Sequence, residues 1–336
     1  MRRRNLAHTL GLVTLAACTV TTPPGSTAAL PDGAGGIGFD DLRYSATLHR
    51  VLAPAGRTGT LALVDPDTLA VTTIPGFRAA AAFSATPDDG PTSVDEGRGL
   101  LFVTDRTAGT LSVVDATAGK VVASAPVAST PGYVRYVATT DEVWVTEPAS
   151  HQLEIFTLGG GTTPTSAGTI PVADGPVSLA VDASAGRAYT HRTGTTVVLD
   201  VRTRARVAEW SNGCTTSQGI ALDPARGLLL AGCADGTLSV LDSTQDGHVL
   251  GSLAKGSGGS VLGYSSTLGH AYQAGSGCAC LVVFGVPGNG VPTVLGQLDA
   301  PSTTRCATAD DRGHAWICDP QGGQLFRVDD PYPSSL

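Results

Sequence analysis

Short apolar runs alternate with small polar turns along almost the whole chain. Most runs contain four to six strand-favouring residues, and Gly, Asp or Pro bounds them on either side. In the clearest stretch, which begins at Pro176, the runs VSLAVD, AGRAYTHR, GTTVVLD and RARVAEW follow one another. Runs of this length between turn residues favour β-strands over helices. The pattern predicts four-stranded antiparallel meanders, whose strands we label a to d from the innermost to the outermost.

The third strand of the meander recurs seven times. It takes forms such as GTLALVD, GTLSVVD and GTLSVLD, and its copies end at Asp65, Asp115, Thr157, Asp200, Asp242, Gly285 and Asp329. The copies are 42 to 44 residues apart after a first step of 50. A period of about 40–45 residues built from short strands is typical of a β-propeller. We therefore predict an all-β fold, a seven-bladed β-propeller of four-stranded antiparallel blades, over residues 37–330.

Two irregularities in the repeat carry further predictions. The last copy has no convincing strand d, and a ring must close, so we expect a segment within residues 19–30 to pair as the missing outer strand. If it does not, the last blade has three strands. The long first step contains an Ala-rich stretch at 77–89, which we expect to form a surface loop or a short helical turn. The strands are nearly continuous apolar runs, which indicates burial on both faces between stacked blades.

The N-terminus predicts export. A basic start, MRRRN, precedes an apolar run at 6–17 that is too short to span a bilayer and is typical of a signal peptide. The run ends in LAAC, which resembles a bacterial lipobox and implies cleavage before Cys18 and diacylation of its thiol. The alternative is an ordinary secretory signal with an incidental cysteine. We expect a lipoprotein signal peptide at 1–17, a flexible tether at 18–36 and a C-terminal tail at 331–336, with the protein held at the extracytoplasmic face of the cell membrane.

The repeated phrase also has a family resemblance. The forms GTLSVVD and GTLSVLD, together with hairpins such as VSLAVDASAGRAY, resemble the YVTN-type seven-bladed propellers of bacterial surface and periplasmic proteins. The resemblance covers 37–330, although the literal Tyr-Val-Thr-Asn is replaced by FVTD, WVTE and YTHR. It implies the fold and little about activity, because members of this family range from binding modules to enzymes.

Six cysteines follow Cys18, and an even number in an exported chain favours disulfides. Cys214 and Cys306 precede strand a of blades five and seven, while Cys233 and Cys318 end strand b of the same blades. This register predicts the bridges Cys214–Cys233 and Cys306–Cys318. Cys278 and Cys280 lie between strands b and c of blade six, and they bridge either to each other or to neighbouring blades. The alternative is a thiolate site for zinc or copper(I), but we favour disulfide stapling.

The connections between strands b and c are the best candidate site. They converge on one face of a propeller, and function commonly lies on loops that a rigid scaffold positions. They carry a candidate binding rim of charged and imidazole side chains: Arg106, Glu147, His151, His191, Arg192, Asp235 and Asp319. The alternative is a rim that is merely solvated. The sequence assigns no catalytic residue, no metal ligand and no cofactor.

The net charge and the absence of certain motifs reduce the number of functions that the sequence supports. The net charge of −8 disfavours a nucleic-acid partner, which requires a basic stripe, and no Gly-x-Ser-x-Gly elbow of a serine hydrolase is present. We favour a monomeric, non-catalytic binding or scaffold module, held at the membrane through lipidated Cys18. Its partner is an envelope protein, a glycan or a small molecule. The alternatives are a lactonase-like or quinoprotein-dehydrogenase-like propeller enzyme and an extracytoplasmic metal-binding protein.

Overall fold

The computed structural model describes residues 25–84, 86, 89–256, 258, 261–275 and 277–336. Within them, 28 strands form seven four-stranded antiparallel sheets, which confirms the predicted seven-bladed propeller. Two short 3-10 helices occur in connections, at Gly56–Thr58 and Pro148–Ser150. The predicted signal peptide, Cys18 and the start of the predicted tether lie outside the described residues.

Each of the first four blades is a meander of consecutive strands, in the order a, b, c, d. Blade one contains β2 (Arg43–Ser45), β3 (Arg50–Pro54), β4 (Thr60–Val64) and β5 (Val71–Pro75). Blade two contains β6 (Pro91–Gly97), β7 (Leu100–Asp105), β8 (Thr110–Asp115) and β9 (Lys120–Pro126). Blade three contains β10 (Val134–Val137), β11 (Glu142–Glu147), β12 (Gln152–Thr157) and β13 (Thr165–Pro171). Blade four contains β14 (Ala180–Asp182), β15 (Arg187–Arg192), β16 (Thr195–Asp200) and β17 (Arg206–Ser211).

Blades five and six repeat this order, and blade seven differs. Blade five contains β18 (Ser217–Asp223), β19 (Leu228–Cys233), β20 (Thr237–Asp242) and β21 (His248–Ala254). Blade six contains β22 (Leu262–Ser265), β23 (His270–Gly275), β24 (Cys280–Gly285) and β25 (Thr293–Asp299). Blade seven contains β26 (Ala307–Ala309), β27 (His314–Asp319), β28 (Gln324–Asp329) and the N-terminal strand β1 (Ser26–Ala29).

The N-terminal segment closes the ring. Strand β1 runs antiparallel to β28, with Ser26 opposite Arg327 and Ala29 opposite Gln324. It therefore occupies the strand d position that the last repeat lacks. This confirms the prediction that a segment within residues 19–30 pairs there. Arg57 adds a second link, because its guanidinium donates to the carbonyl oxygens of Asp32 and Gly36.

Burial differs between the inner and outer strands. Strand c of blade two, β8, is buried at four successive positions, because neighbouring blades cover both of its faces. The next strand outward, β9, alternates between exposed and half-buried residues. Apolar clusters fill the space between adjacent blades; one joins Leu52 and Leu61 of blade one to Leu101 and Val103 of blade two. The continuous apolar runs thus mark strands b and c, while strand d faces water at alternate positions.

The turns between strands c and d use the Asp that ends the repeated phrase. Asp115 Oδ1 accepts hydrogen bonds from the backbone N–H groups of Thr117 and Ala118, and Asp200 Oδ1 does the same for Arg202 and Thr203. These backbone N–H groups and the hydroxyl of Thr203 lower the pKa of Asp200. The recurring Asp is therefore a turn residue of the scaffold.

The C-terminal tail packs against blade six. Asp330 Oδ2 lies 2.7 Å from His270 Nδ1 and accepts a hydrogen bond from the Tyr272 hydroxyl. The backbone N–H of Ser335 donates to the carbonyl of Leu268. The tail thus fixes the end of blade seven to its neighbour.

Candidate functional site

The six cysteines form three disulfides. Cys214 is bonded to Cys233 and Cys306 to Cys318, with Cα–Cα distances of 5.2 and 5.6 Å, and both pairs join the start of strand a to strand b of one blade. Cys278 is bonded to Cys280, so a bridge to a neighbouring blade is not formed. The disulfide interpretation is confirmed, and no thiolate remains among these six residues to bind a metal. In the described residues, no group of three or more His, Cys, Asp or Glu side chains is placed to hold a metal ion.

The residues of the candidate binding rim each interact with a different partner and not with one another. Arg192 Nη2 donates to Glu209 Oε2, Asp319 accepts from Gln324, Asp235 accepts from the N–H of Thr237, and His151 Nδ1 lies 3.3 Å from the carbonyl oxygen of Gly175. Arg106 turns inward to the carboxylate of Asp40, at 2.8 Å. Among the described hydrogen bonds and ion pairs, none joins two of the seven rim residues. A shared ligand site at this rim therefore stays a prediction.

Two rim residues are buried. His191 lies within β15 and not in the connection after it, and its side chain is fully buried beside Thr196. Burial lowers its pKa to about 4, so the imidazole is neutral at neutral pH. Glu147 ends β11 and is also buried; burial raises its pKa, although hydrogen bonds from Gln152 and the N–H of Ser129 oppose this. Neither side chain is presented to solvent.

A polar cavity lies where the inner strands converge. Its volume is about 410 Å³, and residues from blade one and from blades three to seven line it. A second cavity of about 300 Å³ shares Arg43, Arg135 and the stretch 220–222 with the first. Because strand a of a propeller blade borders the axis, these cavities are sections of the central channel. A volume in this range suits a small molecule.

One side of the channel carries buried, paired charges. Arg135 Nη1 lies 2.8 Å from Asp41 Oδ2, and the two side chains are only 8% and 2% exposed. Asp41 also accepts a hydrogen bond from the Ser93 hydroxyl at 2.6 Å. Arg135 Nε donates to the carbonyl of Leu179, which holds the guanidinium in place. Burial opposes the charge of Arg135, but the carboxylates of Asp41 and Asp95 outweigh it and raise the pKa.

Two further pairs extend this charged side. Arg43 Nη2 lies 2.9 Å from Asp95 Oδ1, and Asp95 also accepts from the backbone N–H of Tyr136. Burial raises the pKa of Asp40, although the nearby Arg106 guanidinium opposes the shift. The charges come from blades one to three and are matched one to one. Buried charges held in this way stay in fixed positions, because moving one would strand its partner.

On the opposite side of the channel, blades five and six are tightly packed against each other. Blades five and six contribute Ile220, Leu222, Val261 and Leu262 to the cavity wall. Strand β18 comes so close to blade six that a Cβ on Gly219 would lie 2.9 Å from the Cβ and the backbone N of Leu262. This spacing requires glycine at position 219, so strand β18 cannot move closer to blade six.

Two hydroxyl groups on the cavity lining lack partners. The Ser178 hydroxyl is buried and has no hydrogen-bond partner among the described residues. No described residue accepts a hydrogen bond from the Tyr133 hydroxyl, and the ring of Tyr133 lies 5.6 Å from Arg135 Cζ. Burial raises the pKa of Tyr133 well above its ordinary value, and Asp40 and Asp41 raise it further. The Tyr133 hydroxyl therefore keeps its proton and remains a donor.

The central site was not predicted from the sequence, and of the predicted site residues only Arg106 lies near it. A signal was present, because charges interrupt the innermost strands of blades one to three in FDDLRYS, SVDEG and YVRYV. The corresponding stretches of blades four to six, VSLAV, GIAL and VLGY, carry none. Charge at a position that is apolar in other copies of the repeat therefore points to residues that the repeat pattern itself does not require.

No family model matches the sequence, and no curated protein sequence matches it. Solved structures do resemble the fold. A chain of the mitotic checkpoint complex is 15% identical with a TM-score of 0.75, and the match covers 98% of this chain and 100% of that one. The β-propeller domain of Cps50 (Swd1) from Myceliophteria thermophila is 12% identical with a TM-score of 0.70, covering 88% and 97%. Hydrazine synthase from Kuenenia stuttgartiensis is 10% identical with a TM-score of 0.71, covering 89% and 96%. These likenesses show the fold alone.

No helix in the described part of the chain is both long and apolar enough to cross a membrane.

Proposed function

We propose that this protein is a lipid-anchored, non-catalytic binding module on the extracytoplasmic side of the cell membrane, and that the central cavity is its ligand site. The observation that carries the proposal is the central cavity of about 410 Å³, one side of which holds paired charges in fixed positions. Such a site is preorganised, so little conformational entropy is lost when a ligand binds.

The state of the carboxylates supports binding over catalysis. A general acid or base must exchange protons with its substrate. Asp41 and Asp95 are instead held by arginines at 2.8 and 2.9 Å, as fixed charges. Each carboxylate is thus already occupied by an arginine and by a second donor, an arrangement that suits recognition.

The proposed location depends on the N-terminus. The LAAC segment that resembles a lipobox and the repeat that resembles YVTN-type envelope propellers both support it. Three disulfides in the last three blades also fit an oxidising compartment. Two acyl chains on Cys18 would anchor the protein firmly, since each buried methylene contributes about 0.8 kcal/mol.

The location is tested in a bacterial host that processes lipoproteins. We expect the full chain in the membrane fraction, with an acylated N-terminal peptide that begins at Cys18 by mass spectrometry. Cys18→Ser should move the protein out of that fraction, whereas Cys278→Ser with Cys280→Ser should leave it there. Unmodified Cys18, or equal fractionation of wild type and Cys18→Ser, would overturn lipid anchoring.

The binding site is tested by hydrogen exchange on the purified full-length protein. A panel of small carboxylates, neutral amides, sugars and amines is added, and protection is mapped by peptide. We expect at least one compound to protect β10, β14, β18 and β22, and Ala221→Trp, which fills the cavity, to abolish that protection. Ala118→Trp, in an exposed turn, is the matched control. Protection confined to the b–c connections, or none with any compound, would overturn the proposal.

A further inference from the structure

We propose that the Cys278–Cys280 disulfide is a thiol–disulfide exchange site, which accepts two electrons from an external dithiol. This inference goes beyond the proposed function and does not depend on the central cavity. It follows from how this bridge differs from the other two in exposure, in the length of chain that it closes and in the groups around its sulfur atoms.

The bridge in blade six is the accessible one of the three. Cys278 is exposed, whereas its partner Cys280 is buried. The four cysteines of the bridges in blades five and seven are all buried, with 0 to 9% of their surface exposed. An external thiol can therefore approach Cys278 from solvent, but it reaches the other bridges only after the fold opens. Thiol–disulfide exchange depends on such access to the attacked sulfur.

The bridge closes too short a loop to contribute much to stability. Its cysteines are two positions apart, compared with 19 and 12 for the other pairs. A disulfide stabilises a fold mainly by restricting the unfolded chain, and a short loop restricts it little. The N–H of Cys278 also donates to the carbonyl of Gly275. That hydrogen bond does not involve sulfur, so the connection keeps a backbone link in both redox states and the protein can cycle between them while folded.

The backbone within the bridge favours reduction. Ala279, the single residue between the two cysteines, has a φ of 50°. This left-handed conformation is unfavourable for alanine, which has a Cβ. Reduction opens the ring that contains Ala279 and lets its backbone relax. Exposed disulfides and those in strained backbone are the more readily reduced ones.

Cys280 is the sulfur that leaves when the bridge is attacked at Cys278. Gln297 Nε2 lies 3.7 Å from Cys280 Sγ and donates to it. The amide therefore stabilises the negative charge that develops on this sulfur as the bond breaks. Asp299 lies opposite Cys280 on β25 and opposes that charge, but it is exposed, so solvent and salt weaken its effect.

The reaction is an exchange of S–S bonds. A thiolate of the donor attacks Cys278 Sγ and forms a mixed disulfide, while Cys280 leaves as a thiolate and takes a proton from water. The second thiolate of the donor then attacks the donor sulfur of the mixed disulfide and releases Cys278, which is protonated in turn. The donor ends as a disulfide, and the bridge has gained two electrons and two protons.

The test follows all three bridges in the full-length protein with Cys18→Ser, in which every remaining cysteine belongs to a disulfide. The protein is treated with dithiothreitol without denaturant, free thiols are blocked with N-ethylmaleimide, and peptide mass spectrometry gives the reduced fraction of each bridge. We expect the bridge in blade six to be reduced at least about a hundredfold faster than the other two, which require opening of the fold. The melting temperature should be nearly unchanged when this bridge alone is reduced.

A second reductant identifies the source of the dithiol. A reduced peptide that contains Cys-x-x-Cys is compared with dithiothreitol at equal thiolate concentration. Faster reduction by the peptide would support a protein donor, and faster reduction by dithiothreitol would support a small thiol.

Single substitutions distinguish the two sulfur atoms. Cys280→Ser leaves the exposed thiol of Cys278, which should form a mixed disulfide with oxidised glutathione. Cys278→Ser is the matched control, because the buried thiol of Cys280 should react at least about tenfold more slowly. Gln297→Leu should slow reduction of the intact bridge by about two- to tenfold, through loss of one hydrogen bond to the leaving sulfur. Asp299→Asn should not slow it.

Three results would overturn the inference: equal reduction rates for the three bridges, unfolding when the bridge in blade six alone is reduced, or equal glutathione uptake by the two cysteine variants. An unchanged rate in Gln297→Leu would overturn the assignment of Cys280 as the leaving sulfur. None of these measurements involves a ligand of the central cavity, so the proposed function is decided separately by hydrogen exchange.

Discussion

The two sides of the central channel are built from the same repeated strand, yet they differ in chemistry. Strand a and the residues before it carry Asp41, Arg43, Asp95 and Arg135 in blades one to three. In blades five and six the same region supplies aliphatic side chains to the cavity. Packing between blades depends on strands b and c, which are buried at most positions on both sides. Strand a can therefore carry charged side chains in some blades and aliphatic ones in others within the same fold.

Two buried ionisable residues, Arg135 and His191, differ in whether they keep their charge. On the charged side Arg135 keeps its charge because Asp41 compensates for the loss of water. In blade four, His191 is fully buried and has no carboxylate in hydrogen-bond contact, and its pKa is lowered to about 4. Burial is similar in the two places, and the presence of a counter-charge decides which group stays ionised.

The largest effect is expected from breaking the pair on the charged side. Arg135→Met should lower the free energy of unfolding by about 3–5 kcal/mol, because it leaves Asp41 buried without a counter-charge. Adding Asp41→Leu should restore most of the loss, since the pair is then replaced by apolar side chains. Urea unfolding measures both. A double variant no more stable than Arg135→Met would show that the pair does not act as a unit.

His191 should make stability depend on pH. Its pKa in the folded state, about 4, lies below the ordinary value of 6.5. The unfolded chain therefore binds the proton first, so stability is full above about pH 6.5 and decreases as the pH falls to about 4, by about 3 kcal/mol. His191→Gln should remove this part of the pH dependence. Parallel stability-versus-pH curves for variant and wild type would contradict the assignment.

An added methyl group between β18 and blade six should destabilise the protein. Gly219→Ala places a Cβ 2.9 Å from Leu262, and overpacking of this kind costs about 1–3 kcal/mol. The matched control is Gly232→Ala, on the strand partner opposite Gly219, where the nearest atom is 3.6 Å away. That substitution should be neutral or stabilise by about 0.4–1 kcal/mol. Equal melting temperatures for the two variants would mean that β18 can move away from blade six.

The smallest effect is expected from the same kind of ion pair at the surface. Arg206 Nη1 lies 2.7 Å from Glu209 on the outer strand of blade four, and the arginine side chain is 60% exposed. Arg206→Ala should therefore change stability by less than about 1 kcal/mol. The change should shrink further in high salt, which screens exposed charges. A loss comparable with that of Arg135→Met would contradict burial as the cause of the difference.

The scaffold could be predicted from the sequence because its information is local and repeated. Each meander lies within one period, so the third strand and its turn Asp count the blades directly. The same register placed Cys214 opposite Cys233 and Cys306 near Cys318, and the structure bonds both pairs. The empty position for strand d in the last repeat also predicted that the N-terminal segment would pair there.

The central site could not be predicted in the same way. Asp41 and Arg135 are 94 positions apart and belong to different blades, so no local pattern pairs them. His191 was assigned to a connection because Gly194 begins the turn soon after it, whereas strand β15 continues to Arg192 and buries the imidazole. The repeat indicates which strand a residue occupies, but contacts across the axis depend on how the blades are arranged around it.

The pairing of β1 with β28 has a consequence for the order in which the protein is made. Six blades are complete once a continuous stretch of chain has been synthesised, but blade seven combines a segment near the N-terminus with one near the C-terminus, Ser26 with Arg327. Pairing of such distant segments is slow. The ring is therefore completed last, and a premature stop near the C-terminus or proteolytic trimming at the N-terminus would damage the same sheet.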